Sequence, residues 1–209
     1  MKKRIWACIL VIIMTFLVVA CGNGNAKKKV TAERGTFDGN VYTNESMRFQ
    51  ATFPEGCTMY SDEEIQKVVG NGSDILKKAY DSDTVENGIS GTIYDVIATT
   101  ADKTANIQIV MEDTDVTAGK ELTAQQYAQL LKKNLATTYE SSGIEINEPE
   151  ITDVTLDGMK FKKVSLEFGI DQTRQEYYVH KVGNYMLGFI ITYTDPTAVQ
   201  EFLNSVTAL

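Results

Sequence analysis

The nine residues YMLGFIITY, Tyr185 to Tyr193, decide the fold. Successive strand residues face opposite sides, so Tyr185, Leu187, Phe189, Ile191 and Tyr193 point one way and Met186, Gly188 and Ile190 the other. Both faces are apolar, and a strand of that kind must be covered on both sides. A turn pair, Gly183-Asn184, sets its start. Beyond it Asp195 caps and Pro196 starts a last helix, in which Val199, Phe202, Leu203 and Val206 are spaced to lie on a sheet.

Toward the N-terminus, Thr173 to Val182, Met159 to Ile170 and Glu145 to Leu156 read as further strands, the last two joined by the turn pair Asp157-Gly158. With Tyr185 to Tyr193 they make four antiparallel strands. Thr123 and Gln126 form a capping box ahead of a stripe of Tyr127, Leu130, Leu131, Leu135 and Tyr139, which predicts a helix ending near Gly143. Gly91 to Thr100 and Asn106 to Glu112 are β-branched and aromatic, and the short polar link Ala101 to Ala105 makes them a hairpin. Ser61 with Glu64 is another capping box, followed by Ile65, Val68 and Val69 on one helical face. Gly70-Asn71-Gly72 is expected to stop that helix, and Ser73 to restart it through Ile75, Leu76, Ala79 and Tyr80. Val41 to Thr43 and Met47 to Phe53 form a first hairpin, closed by Pro54-Glu55-Gly56. The resulting order, ββα ββα ββββα, predicts an α+β fold: a three-layer α/β/α sandwich around a mainly antiparallel sheet, in a single domain over residues 37–209.

At the other end, Lys2, Lys3 and Arg4 precede an apolar run from Ile5 to Val19, the pattern of an export signal. Leu17-Val18-Val19-Ala20-Cys21 resembles the lipobox of bacterial lipoproteins, in which cleavage precedes the cysteine. The resemblance implies a signal peptide over residues 1–20 and a Cys21 carrying a diacylglyceryl thioether, with palmitate among its acyl chains. Two chains hold stably where one exchanges, since each buried methylene contributes about 0.8 kcal/mol. An uncleaved membrane helix is the alternative, but a spanning segment has no need of Ala-Cys at its outer boundary. Residues 21–36 have no apolar periodicity and read as a flexible basic tether. Its Lys27, Lys28 and Lys29 lie near lipid headgroups or simply in a solvated linker.

The chain has 209 residues, with 20 Lys+Arg against 28 Asp+Glu, a net charge of -8. Without the signal and tether, 13 basic residues face 27 acidic ones. Such a domain repels phosphate, and the basic footprint that nucleic-acid binding requires is missing. Cys8 leaves with the signal and Cys21 is acylated, so Cys57 stands alone and no intramolecular disulfide forms.

The order of elements, the Phe53-Pro54-Glu55-Gly56 turn before an acidic-capped helix, the Gln175-Glu176-Tyr177-Tyr178-Val179 strand and the Gly183 to Thr192 stretch together resemble the PsbP-like superfamily, which includes DcrB-like bacterial proteins. The resemblance spans about residues 38 to 209. It departs at Cys57, where members often carry tryptophan; the one tryptophan here, Trp6, lies in the signal. It implies a binding or assembly module with no cofactor and no shared catalytic set.

Chemistry-bearing residues are few. His180, the only histidine, and Cys57 form the sole Cys-His combination, and nothing in the sequence brings them together. Neither Ser73 nor Ser90 sits in a strand-Gly-x-Ser-x-Gly-helix elbow. A calcium loop starting at Asp113 offers Asp115 and Thr117 but has Ala118 at the glycine position and Ala124 at the closing one; starting at Asp81 it puts Val85 at a ligand position. Zinc lacks ligands, and no phosphate-binding glycine pattern follows a strand. Of Tyr177 and Tyr178, one is expected in the core and the other at a surface, or both packed beneath helices; Tyr193 is the third polar aromatic of interest. The expectation is a non-enzymatic lipoprotein, anchored to the outer face of a cell membrane and binding another envelope protein. Gly22 and Gly24 behind Cys21 point to a Gram-positive source. The alternative is a receptor for an apolar or cationic small molecule held between sheet and helix.

Overall fold

A computed structural model describes residues 31–169 and 173–209; the expected signal, Cys21, Lys27 to Lys29 and the Ile170 end of the strand beginning at Met159 lie outside them. Along the described residues run β1 (Thr36–Asp38), β2 (Val41–Asn44), β3 (Phe49–Thr52), β4 (Thr58–Met59), α1 (Asp62–Leu76), α2 (Ser82–Ser90), β5 (Thr92–Thr99), β6 (Ala105–Asp113), α3 (Thr114–Thr117), α4 (Ala124–Ser141), β7 (Glu150–Leu156), β8 (Met159–Glu167), β9 (Arg174–Val182), β10 (Tyr185–Tyr193), α5 (Thr197–Ser205) and β11 (Thr207–Ala208). The chain is thus mixed α/β with antiparallel sheets.

The stretch Tyr185–Tyr193 is a central strand of a seven-stranded sheet in the order β4-β5-β6-β10-β9-β8-β7. It pairs antiparallel with β6 and β9 along its whole length, Phe189 lying between Ile109 and Tyr178. Strands β7 to β10 form a meander, and the β7–β8 turn places Asp157 at φ 41° and Gly158 at φ 78°. Two positive φ values in a two-residue hairpin loop mark the type I′ turn that an Asp-Gly pair favours.

Each face of this sheet has its own core. Met186 and Ile190 join Val110, Val164, Leu166, Tyr177 and Val179 beneath Ile65, Val69 and Leu76 of α1, Val85 of α2, and Tyr127, Leu131, Leu135 and Tyr139 of α4. On the opposite face Leu187, Phe189 and Ile191 pack with Phe161, Ile107, Ile109 and Met111. There the cover is α5, through Val199 and Phe202, together with a four-stranded sheet in the order β1-β2-β3-β11, whose Tyr42, Phe49 and Ala51 turn inward. The sequence pattern predicts helices alone on both sides; α5 is too short to shield a seven-stranded face, and the N-terminal hairpin supplies the remaining apolar surface.

Other differences have local causes. α1 does not stop at Gly70-Asn71-Gly72 but runs from Asp62 to Leu76. Ile65, Val69, Gly72 and Leu76 are all buried, an unbroken i, i+4, i+7, i+11 stripe. Tertiary packing of that stripe outweighs the roughly 1 kcal/mol a helical glycine costs relative to alanine. Ser73 is therefore an interior residue, not a new cap. α2 follows instead, capped by Asp81, whose carboxylate accepts from Thr84 N at 2.9 Å. Both expected capping boxes form, at Ser61/Glu64 and Thr123/Gln126.

Candidate functional site

The residues that carry chemistry are scattered. Cys57 is half-buried just ahead of β4, and burial, with Glu201 and Asp102 nearby, raises its thiol pKa. His180 lies on β9, its Nδ1 2.8 Å from Lys160 O and its ring 5.1 Å from that of Phe161. Four strand spacings separate β4 from β9, about 19 Å at ~4.8 Å each. Cys57 and His180 therefore form no dyad. Asp113, the first residue of the candidate calcium loop, caps α3 by accepting from Asp115 N at 3.0 Å, as Asp81 caps α2. Among the described residues no His/Cys/Asp/Glu group has metal-site geometry. Tyr177 and Tyr178 face opposite sides, yet both are buried, at 0 % and 4 % exposure, so neither supplies a surface patch. Tyr193 is buried as well.

What the structure assembles is a polar layer inside the helix-side core. On β6 the side chains of Asn106, Gln108 and Glu112 alternate with apolar ones and turn toward the helices, all three fully or almost fully buried. Glu112 Oε2 accepts from Tyr127 Oη at 2.7 Å, and its Oε1 lies 2.5 Å from Thr117 Oγ1. Thr117 Oγ1 is also 3.2 Å from Asp113 O. A hydroxyl has one proton to give. Directed to the Asp113 carbonyl, it leaves Thr117 to accept a proton donated by Glu112, which matches a carboxyl that is neutral. Burial pushes Glu112 up to about 8; hydrogen bonding with Thr117 and Tyr127 pulls the other way, and Asp113 adds repulsion. Farther along this face Tyr139 and Tyr177 both donate to Gln175 Oε1 at 2.7 Å, while Gln175 Nε2 donates to Thr192 Oγ1 at 2.9 Å. Burial raises the pKa of Tyr94, Tyr127, Tyr139 and Tyr177 well above the ordinary phenol range, so all are neutral donors. A strand known to lie in the middle of a doubly covered sheet must bury its polar face; the alternation Asn106, Gln108, Glu112 was the signal for this layer.

A second feature is an open groove of about 740 Å³ at the C-terminal end of α4, lined by Ala136, Glu140, Glu145, Ile146 and Glu148 among others. Its loop wall is held to β8 by Asn147 N to Glu167 O at 3.0 Å and by an Ile146–Phe168 bridge. Ile144 and Ile146 rest on the core and form an apolar floor. Glu148 pairs with Lys132 at 2.7 Å, whereas Glu140 and Glu145 project into solvent.

A third is where the chain enters the domain. Glu33 to Thr36, read from the sequence as tether, are fastened down. Glu33 N donates to Ser46 Oγ at 3.0 Å, Asn44 Nδ2 to Glu33 O at 3.0 Å and Gly35 N to Asp95 Oδ2 at 2.8 Å. Asp95 sits at a bulge of β5 and also accepts from Tyr42 Oη. A Cβ at Gly35 would stand 2.3 Å from the Tyr42 ring, so only glycine fits.

No known family matches the chain, and no curated protein does. Among solved structures it resembles a crystal structure from Bacteroides thetaiotaomicron VPI-5482, at 12% identity and TM-score 0.44, over 83% of this chain and 49% of that one. The chain thus spans about half the length of the Bacteroides protein. It also resembles the solution structure of cyanobacterial PsbP (CyanoP) from Synechocystis sp. PCC 6803, at 12% identity and TM-score 0.46, over 91% of this chain and 98% of that one.

Proposed function

We propose that the chain is a lipoprotein, acylated at Cys21, whose PsbP-like, three-layered domain stands on the extracytoplasmic face of a cell membrane and acts as a non-enzymatic protein-binding or assembly module. The anchor rests on the Lys2-Lys3-Arg4, apolar run and Ala20-Cys21 sequence. Among the described residues no helix is long and apolar enough to cross a membrane. The observation that carries the binding role is the groove beside α4: solvent-facing acidic groups at Glu140 and Glu145 over an apolar floor suit a Lys- or Arg-bearing segment of another envelope protein.

The test is crosslinking in intact cells, comparing the native chain with a Glu145→Lys/Glu148→Lys variant. A partner captured by the first and lost with the second supports the module; the same partner with both, or the monomer alone from the native chain, refutes it. Cys21→Ser is expected to abolish palmitate labelling and leave the precursor unprocessed, and continued labelling would refute the anchor. A second reading, a small-ligand receptor holding its ligand between sheet and helix, is favoured by one observation: two buried polar atoms beneath the helices, on Tyr94 and Gln108, have no hydrogen-bond partner.

A further inference from the structure

Tyr94 is 6 % exposed and Gln108 0 %, and neither Tyr94 Oη nor Gln108 Oε1 has a hydrogen-bond partner. Leaving a buried donor or acceptor unsatisfied costs about 1–3 kcal/mol, and folded proteins rarely tolerate it. Here two such atoms occur on one face of one pair of strands. Tyr94 pairs with Val110, two residues along β6 from Gln108, a diagonal relation that sets the two backbones roughly 7–8 Å apart.

The orientation of the glutamine amide is fixed by its neighbours. Asn106 Nδ2 donates to Ala98 O at 2.9 Å and to Thr99 Oγ1 at 3.3 Å, so its Oδ1 is left to accept. It does so from Gln108 Nε2 at 2.8 Å, which turns Gln108 Oε1 to the other side as a bare acceptor. Tyr94 is a bare donor, its phenol kept neutral by burial. The Thr92 hydroxyl is close enough to act on the phenol, but its own proton goes to Gly88 O at 2.8 Å and it does not meet Tyr94 Oη in hydrogen-bond geometry. One donor and one acceptor, both uncharged, are complementary to a molecule that accepts at one end and donates at the other.

We propose that Tyr94 Oη and Gln108 Oε1 together bind one small neutral hydrogen-bonding molecule, a water or a hydroxyl- or amide-bearing compound, enclosed between β5–β6 and the covering helices. The site deepens the receptor reading and is independent of groove docking and of the anchor. A charged ligand is excluded on chemical grounds: the two atoms offer no counter-charge, and burial keeps Glu112 beside them neutral.

The decisive experiment is the sign of a stability change in the purified protein. Tyr94→Phe removes only the hydroxyl. With the site occupied, the variant loses a buried hydrogen bond and its unfolding equilibrium constant, from urea titration, rises about five- to tenfold. With the site empty, deleting an unsatisfied hydroxyl leaves stability unchanged or raises it, and the proposal falls. Gln108→Met also breaks the bond to Asn106, so it is read only in the double mutant: non-additive losses support one shared molecule, and additive losses overturn it. A high-resolution crystal structure is expected to show density within hydrogen-bond distance of both atoms; an empty map there refutes the site. Mass spectrometry of the protein extracted from its native cells then separates the sources. An organic compound released stoichiometrically supports the receptor reading, while a water alone supports the site and ends that reading.

Discussion

Replacing Glu112 with glutamine converts a titrating buried acid into a neutral isostere, and its consequence for stability follows from the folded pKa. Glu112 titrates at about 8 in the folded protein against an ordinary 4.5. The folded state therefore holds this proton more tightly than the unfolded chain. The stabilisation is fully present below pH 4.5 and drains away as the pH rises toward 8, where both states are ionised and the native carboxylate is trapped in the core. The gap is worth roughly 5 kcal/mol at 1.36 kcal/mol per pH unit, with roughly 3 already lost at pH 7. Relaxation and water entry would reduce both figures. The substituted amide would keep an acceptor for Tyr127 and place a donor against Thr117, leaving one N–H unpaired at a cost of about 1–2 kcal/mol. The expected result is a Glu112→Gln variant slightly less stable than the native protein at pH 5 and more stable at pH 9, with a crossing between. Urea unfolding at half-unit steps from pH 4.5 to 9 measures it. Taking the difference between the two proteins cancels the carboxylates that titrate at low pH, among them Asp81 and Asp195, whose pKa values are lowered by hydrogen bonds from the backbone N–H groups of Thr84 and Thr197. A difference curve that stays flat, or that slopes the other way, would refute a neutral Glu112.

Three further changes probe separate parts of the molecule. Gly35→Ala or Asp95→Ala is expected to release the Glu33 to Thr36 segment from the β5 bulge, read as faster proteolysis at Arg34, with the unfolding midpoint also lowered because the buried Tyr42 is crowded in the first and loses its acceptor in the second; an unchanged cleavage rate would show that the segment is held by other means. Phe189→Ala, at a fully buried site packed on Phe49, Phe161 and Phe202, is expected to cost about 3–5 kcal/mol by chemical denaturation, and a loss under about 1 kcal/mol would contradict the packing. Cys57, half-buried with its thiol pKa raised, is expected to react with iodoacetamide more slowly than a free thiol at pH 8 and to speed up only above its raised pKa; alkylation at the rate of a small thiol would place it outside the core.

What could be read in advance depended on whether the signal was local. YMLGFIITY is decisive by itself, because apolar residues on both faces of one strand admit no solvent-facing solution. The capping boxes at Ser61/Glu64 and Thr123/Gln126 and the Asp157-Gly158 turn are likewise closed within four residues. Gly70-Asn71-Gly72 misled for the opposite reason: local propensity breaks the helix there, and the stripe through Gly72 that restores it exists only once α1 lies on the sheet. β1, β4, α3 and β11, of two to four residues each, are too short for any periodicity to appear. The order of strands was likewise beyond reach, so β10 could not be seen between β6 and β9. Without that placement Glu112 looked like one more charge at the end of a strand, not an acid buried at the middle of a sheet.

The two cores on either side of β10 are unlike in kind. On the small-sheet side the interior is built from Phe49, Phe53, Phe161, Phe189 and Phe202 in a continuous chain of ring contacts, with the Asp95 and Glu176 hydrogen bonds at its margins. On the helix side the same sheet presents Asn106, Gln108, Glu112, Gln175 and Thr192, and the hydroxyls of Tyr127, Tyr139 and Tyr177 are directed to this layer. The phenylalanine chain itself has no proton to exchange and no polar atom to satisfy, and the polar groups of that side bond to one another around it, Tyr42 with Asn44 and Asp95, and Glu176 with Tyr178. A polar core in low dielectric has strong bonds when complete and large penalties when one is missing. Among the described carboxyls Glu112 is the one that burial raises to about 8, and its partners Thr117 and Tyr127 tie that titration to α3 and α4.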